Sequence, residues 1–307
     1  MSTEFKQLRI VFWGTPDFAV PSLKAITQSE HKVVAVVTAP DKPRGRGQKV
    51  SFSPVKEFAA SENIPVFQPG KLKGNDELIR SLKELNYDLN VVVAFRILPP
   101  ELFNLPPYGS FNLHGSLLPE LRGAAPIQWS LIRGYTETGL TTFKIEEKVD
   151  TGNIYLQYRM PVLPFDDFGT LHDKMSFAGT KLITDTLDLI ASGNYTLQSQ
   201  DITKATTAPK ITKEICEIKW DSPAIELYNL IRGLSPAPGA FFVHNGKVIK
   251  IYKAETAEGY SLSPGEIFTG KKEVVIGCNP GCLRILEIQK EGHKRMRTDE
   301  FLRGSSL

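Results

Sequence analysis

Cysteine, histidine and phosphate-cradling glycine are all in short supply in this chain, and each shortage removes a class of function. The three cysteines (Cys216, Cys278, Cys282) are an odd set with no Cys-x-x-Cys spacing, and a chain of 307 residues needs no disulfide staples. Reduced thiols and a cytoplasmic setting are expected. The five histidines are scattered, none three residues from another, so no metal site is expected. No apolar run approaches the roughly 18 residues of a membrane span, and the opening MSTEFKQLRIVFW lacks a basic region followed by a long apolar stretch. Neither export nor a membrane partner is expected.

The first glycine turn reads GTPDFA. A pyrophosphate-binding turn needs several glycines so that backbone can approach the phosphates. Here only Gly14 qualifies; Pro16 has no amide hydrogen and Asp17 would repel the ligand. A nicotinamide dehydrogenase is therefore disfavoured, and the absence of Gly-Lys-Ser/Thr removes the Walker class. Net charge is only +3, too little by itself to establish a polyanionic partner. It is unevenly placed, however: residues 210–307 hold 15 Lys/Arg and 12 Asp/Glu against 22 and 22 in residues 1–209. KEGHKRMR (290–297) and DKPRGRGQK (41–49) each concentrate cations in the manner of a phosphate-contacting surface.

What is present is organised in two parts, since the length exceeds a single domain of about 100–150 residues. In the first half, buried apolar runs alternate with helical patterns: Leu8–Trp13, Lys32–Thr38, Asp88–Phe95, Ser110–His114 and Leu140–Glu147 as strands, with helices over Asp17–Gln28 and from Ser53-Pro54 onward. That alternation predicts an α/β domain with a doubly wound, mostly parallel sheet. A long helix is expected from Thr170 to about Ser192. Residues 193–210, poor in large apolar side chains, read as a linker. Beyond it, a short helix after Asp221-Ser222-Pro223, an Asn245-Gly246 hairpin and further short strands at 266–269, 272–278 and 283–289 suggest a small, oligonucleotide-binding (OB)-like β-barrel. The expected division is thus 1–192, a linker over 193–210, and 211–307.

The chemistry concentrates in NLHGSLLPELRGAAP, residues 112–126. Asn112 and His114 are two apart, so on a strand they face the same side. A strand ending near Gly115 aims both at the cleft beyond its carboxyl end, where open α/β sheets bind ligands. Asp150, in the turn DTG, waits downstream. Singly, a histidine at a strand end is usually a core residue and DTG usually a turn; together they outline a reaction centre.

GTPDFAVPSL, TAPDKPRGRGQ, SPVK, NLHGSLLPELRGAAPIQW, TGLTTFKIEEKVDTG and FLRG give the chain, over nearly its whole length, a resemblance to the methionyl-tRNA formyltransferases. The HGSLLP element is shared with formyltransferases acting on a purine-pathway ribonucleotide and on sugar nucleotides, so it points to the formyl donor. GTPDF, the RGRG loop and the basic second domain point to the acceptor.

The resemblance implies transfer of formyl from 10-formyltetrahydrofolate, a co-substrate, to the α-amino group of initiator methionyl-tRNA, in a cytoplasmic monomer without metal. By the resemblance, Asn112, His114 and Asp150 are catalytic. Asn112 and His114 hydrogen-bond the developing oxyanion; Asp150 orients His114 and takes the amine proton through a water, and His114 protonates the leaving folate nitrogen. Ser116, Leu117, Leu118 and Pro119, with Phe95, Ile97 and Leu98, are implied at the folate. AFRILP departs there from the Ala-Tyr-Gly-x-Ile-Leu-Pro pattern of the family it resembles. Arg44, Arg46 and Lys49 are implied at the tRNA acceptor stem, Arg46 foremost, with cationic side chains suited to phosphates and unpaired bases. The rivals are a sugar-nucleotide acceptor and a tRNA-binding module that has lost its chemistry.

Overall fold

Valine-rich and apolar runs form the centre of the first sheet, as β-branched side chains fit a pleated surface buried on both faces. In chain order the elements are β1 (Arg9–Gly14), α1 (Val20–Thr27), β2 (Lys32–Val37), β3 (Lys42–Arg44), β4 (Lys49–Ser51), α2 (Pro54–Ser61), β5 (Val66–Phe67), α3 (Asp76–Glu84), β6 (Leu89–Val93), α4 (Pro100–Phe103), β7 (Ser110–His114), α5 (Pro126–Ile132), β8 (Glu137–Lys144), β9 (Ile154–Pro161) and α6 (Phe168–Ser192). The computed structural model describes residues 6–44 and 49–304. Among these residues no helix is long and apolar enough to cross a membrane.

Seven strands lie in the order β5-β2-β1-β6-β7-β8-β9. The first five are mutually parallel, and β8 runs antiparallel to β7. After β1 the chain builds outward through β2 and β5, then returns to the other side of β1 as β6. That reversal puts a crevice at the carboxyl ends of β1 and β6, where Gly14 pairs with Val93. A Cβ on Gly14 would lie 2.7 Å from the Phe12 ring and 2.9 Å from the Ala19 methyl, so glycine is required there. A buried chain of hydrogen bonds locks the register of the three central strands. Trp13 Nε1 donates to Asn90 Oδ1 (2.7 Å), Asn90 Nδ2 to Ser110 Oγ (2.9 Å) and the Leu102 carbonyl (3.1 Å), and Ser110 Oγ to the Phe103 carbonyl (2.7 Å). A fully satisfied buried polar network rigidifies what it joins, here the strand that carries His114.

Helix starts follow local capping chemistry. Ser53 Oγ accepts from Lys56 N–H at 3.1 Å with Pro54 at the first helical position, and Asn75 caps α3 through Leu78 N–H at 3.0 Å. Among the elements additional to those expected from sequence are the helices α3 and α5 and the strand β9.

The chain divides into two compact units. One comprises the residues up to Gly123 with Gly139–Met160 and Asp173–Thr207; the other comprises Ala124–Thr138, Pro161–His172 and the residues from Ala208 onward. The second unit contains α7 (Ala224–Gly233), β10 (Ala240–His244), β11 (Lys247–Ala257), β12 (Ile267–Thr269), β13 (Val274–Gly277), β14 (Cys282–Lys290), β15 (Met296–Arg297) and α8 (Thr298–Gly304). Its strands form an antiparallel half-barrel in the order β10-β11-β14-β13-β12, with β15 against β14. The β10–β11 turn is Asn245-Gly246, both with positive φ (48° and 72°), the backbone a two-residue hairpin needs. Leu227 and Ile231 of α7, Ile249, Ile251, Ile276 and Ile285 of the sheet and Phe301 of α8 form its core, with Ile132 of α5 packed against it. All three cysteines are free thiols, and burial pushes the Cys278 thiol up to about 12.

Candidate active site

Strand β7 ends at His114, and the period of two places Asn112 on the same face. In register, Asn112 lies between Val92 of β6 and Phe143 of β8, and His114 opposite Thr141. The Asn112 side chain is half-buried, and among the described residues nothing hydrogen-bonds its amide, which leaves both its donors and its acceptor available at the cleft. His114 is 5% exposed. Its Nε2 lies 2.9 Å from the Leu121 carbonyl. A carbonyl can only accept, so Nε2 carries a hydrogen and Nδ1 is the nitrogen at which a further proton can be gained. Nδ1 faces Asp150 Oδ2 at 3.8 Å, beyond hydrogen-bond length but within ion-pair reach. Asp150 is fixed in turn by the Gly123 N–H, which donates to Oδ2 at 2.8 Å.

The two residues that flank His114 share an unusual backbone. Leu121 has φ 58° and Asp150 φ 55°, the left-handed region that side-chain-bearing residues adopt at an energetic cost, most of all bulky ones. Such conformations collect where surrounding structure over-determines them, often at functional sites. The DTG turn is equally constrained at Gly152, where a Cβ would fall 1.7 Å from the Lys144 carbonyl oxygen. The turn is tied further to residues that sequence inspection passed over. Gln200 Nε2 donates to the carbonyls of Asp150 (3.0 Å) and Gly152 (2.7 Å), and its Oε1 accepts from Arg122 Nε (3.1 Å) and Nη2 (2.6 Å). Thr206 Oγ1 accepts from the Leu121 N–H at 2.9 Å. Within residues 193–210, Gln200 and Thr206 thus reach the 150–152 turn and Leu121, and Gln198 pairs with Ile154 at the start of β9.

The implied folate residues leave from adjacent parallel strands, since Val93 at the end of β6 pairs with Leu113 of β7. They divide by burial. Ser116, Leu118 and Leu98 point inward: Ser116 Oγ donates to the Glu120 carbonyl at 2.6 Å, Leu118 packs with Phe143 and Ile154, and Leu98 joins the core around Trp13. Leu117 and Pro119 are half-buried and Ile97 is exposed. Phe95 stands edge-on to Trp13 with centroids 5.6 Å apart. In the divergent AFRILP segment, the Arg96 guanidinium donates to the carbonyls of Pro69 (2.8 Å) and Gly70 (3.0 Å) and stacks over Phe95 at 5.2 Å. The arginine thus ties the end of β6 to the segment after β5.

The basic loop is a hairpin of β3 and β4 in which Arg44 pairs with Lys49 through the backbone; Arg46 lies outside the described residues. Both ends of the hairpin are anchored by Lys56, whose Nζ is 2.5 Å from Asp41 Oδ2 and 4.1 Å from the centroid of the Phe52 ring. Gln68 Nε2 donates to Asp41 Oδ1 at 2.8 Å. The hydrogen bond from Lys56, then that from Gln68, hold the Asp41 carboxyl below its usual value. Among the described residues no cluster of three or more metal-ligating side chains occurs.

Comparison with known proteins identifies the family. The formyl transferase family matches residues 8–187, and its C-terminal domain matches residues 210–306. A protein of Caldanaerobacter subterraneus subsp. tengcongensis named methionyl-tRNA formyltransferase is 47% identical over 302 residues, covering 98% of each chain. One of that name from Bacteroides thetaiotaomicron is 43% identical over 313 residues, covering 98% of this chain and 97% of the other. Among solved structures, HypX from Aquifex aeolicus in complex with tetrahydrofolic acid has a TM-score of 0.68 at 17% identity, over 98% of this chain and 48% of that one. WlaRD, a sugar 3N-formyl transferase, gives 0.68 at 21% identity, over 94% and 100%; at these identities the likeness is one of fold. With close relatives matched from end to end, the chain belongs to the methionyl-tRNA formyltransferase family.

Proposed function

We infer that the protein transfers the formyl group of 10-formyltetrahydrofolate to the α-amino group of methionyl-tRNA, yielding N-formylmethionyl-tRNA and tetrahydrofolate. The observation that carries the site assignment is the approach of His114 and Asp150, separated by 36 positions in sequence, to 3.8 Å at the carboxyl end of β7 beside the unpartnered Asn112 amide. The donor is a co-substrate; Leu117, Pro119, Phe95 and Ile97 are the surface against which it would lie, with Ser116, Leu118 and Leu98 shaping that surface from within.

The reaction makes three demands. The attacking amine must shed a proton, the carbonyl oxygen must carry charge in the tetrahedral intermediate, and the leaving folate nitrogen must receive a proton. As the neutral amine forms its bond to the formyl carbon, the Asn112 amide and protonated His114 Nδ1 hydrogen-bond the oxyanion, and Asp150, fixed by the Gly123 N–H, accepts through a water the proton that the nitrogen sheds. As the carbon–nitrogen bond to folate breaks, His114 delivers the Nδ1 proton to that nitrogen, while the Nε2 bond to Leu121 holds the ring throughout. Protons balance: one leaves the amine for Asp150, one passes from His114 to the folate, and the Asp150 proton then returns to the facing His114 Nδ1, with no covalent enzyme intermediate.

Arg44, Arg46 and Lys49 are proposed to hold the tRNA, of the initiator type, in a cytoplasmic monomer; the cationic 290–297 segment is proposed separately as a phosphate-contacting surface. Supplying methionyl-tRNA and labelled 10-formyltetrahydrofolate tests the activity directly, with an amino-sugar nucleotide as the competing acceptor. Formylation of the sugar but not of methionyl-tRNA would overturn the reading, and sedimentation of the purified chain checks the monomer.

A further inference from the structure

We propose that Gln200 and Thr206 are positioning residues for formyl transfer: the segment 198–207 holds the two left-handed backbone residues, Asp150 and Leu121, that fix His114 in its working geometry. The inference rests on the assignment of His114 and Asp150 made above, and the geometry behind it is independent of any substrate.

His114 has two partners, the Leu121 carbonyl at Nε2 and the Asp150 carboxylate facing Nδ1. Each partner sits on backbone that would relax to ordinary φ if released. Each is restrained from the same short segment. Thr206 Oγ1 accepts from the N–H of Leu121 itself (2.9 Å), and the Thr206 carbonyl accepts from the next N–H, that of Arg122 (2.9 Å). Gln200 donates to the carbonyl of Asp150 itself (3.0 Å) and to that of Gly152 (2.7 Å). The two arms are joined through Arg122, whose guanidinium binds Gln200 Oε1 with two hydrogen bonds. A primary amide is required at position 200, since it must donate twice and accept twice at once; a carboxylate can do only the second. These contacts bridge residues 48 to 85 apart in sequence, so they act where local turn chemistry cannot. Proton transfer is sensitive to displacement, with misplacement of about 1 Å costing on the order of 100-fold.

Gln200→Glu in the full chain separates positioning from simple stability, because it keeps an acceptor for Arg122 and removes the two donors to the DTG turn. In steady-state formyl transfer with methionyl-tRNA and 10-formyltetrahydrofolate each varied, kcat is expected to fall roughly 10- to 100-fold, with both KM values within about twofold and the melting temperature nearly unchanged. Introduced into Asp150→Asn, the same change is expected to add little, because residues acting through one group are not additive. Thr206→Val, which loses the acceptor for Leu121, is expected to lower kcat several-fold by the same principle, and Thr206→Ser to restore it. Wild-type kcat in both Gln200→Glu and Thr206→Val would overturn the proposal, as would a Gln200→Glu loss that is fully additive with Asp150→Asn. Wild-type kcat in Asp150→Asn would instead overturn the catalytic assignment, and this inference with it.

Discussion

His31 and His114 are both buried histidines beside an aspartate, and they are wired in opposite directions. At His31, Nδ1 accepts from the Leu8 N–H (3.2 Å) and Nε2 meets Asp188 at 3.1 Å. The backbone partner is a donor, so that nitrogen must stay unprotonated, and gaining a proton there would break the bond. At His114 the backbone partner is an acceptor, the Leu121 carbonyl, so Nε2 keeps its hydrogen and Nδ1 can gain and lose a proton with the ring still held. Burial, with Asp188 opposing it, lowers the His31 pKa. The contrast lies in the polarity of one backbone group: a donor at His31 opposes a second ring proton, whereas the acceptor at His114 leaves Nδ1 free for the proton transfer proposed for it.

The largest test of this contrast is to remove each ring. His114→Ala should lower single-turnover formyl transfer by about 1,000-fold with methionyl-tRNA affinity within about twofold, whereas His31→Gln should leave kcat near wild type. Equal losses in the two variants would erase the distinction. Asn112→Ala comes next, with an expected loss of about 100-fold in kcat from the missing oxyanion donor, read in the same assay with little change in folate KM.

Smaller effects are expected from the basic 41–49 segment and its Lys56 anchor. Arg46→Ala, and Lys56→Met through loss of the anchor to Asp41 and Phe52, should each lower kcat/KM for methionyl-tRNA by about tenfold, one good charged contact. Folate binding should be unchanged, and Arg46→Ala should reduce the salt dependence of tRNA binding by about one phosphate contact. An unchanged salt slope would remove Arg46 from the tRNA surface. The smallest effect is on stability. Because the folded state lowers the His31 pKa from 6.5, its contribution is intact above that value and is lost as pH falls below it and the unfolded chain binds the proton first. Melting curves from about pH 7.5 to about pH 5 should therefore fall less steeply in His31→Gln than in wild type, and identical slopes would contradict this wiring.

The parts of the molecule readable from sequence are those governed by local periodicity. β7 is expected and found at Ser110–His114, the Asn245-Gly246 hairpin follows from two positive φ angles, and Ser53-Pro54 caps α2. Asn112 and His114 share a face because a strand repeats every two residues. What escaped notice has long-range causes. α5 lies in the N-terminal half of the sequence yet gives Ile132 to the core formed by α7 and the half-barrel, a partnership no local pattern encodes. Gln200 sits in a polar stretch whose composition signals a connection, and its contacts reach residues 48 to 78 positions away. Leu121 and Asp150 carry left-handed backbone without the glycine that normally announces it. The side chain of Asp150 was readable as a candidate; the restraints that make it useful were not.

His114 and Asp150 are proposed to act as one proton-handling unit at the end of β7. Single-turnover formyl transfer by Asp150→Asn, with both substrates saturating, tests it most directly. The account requires a loss of at least about 100-fold with methionyl-tRNA still bound at wild-type affinity; transfer at the wild-type rate would contradict it.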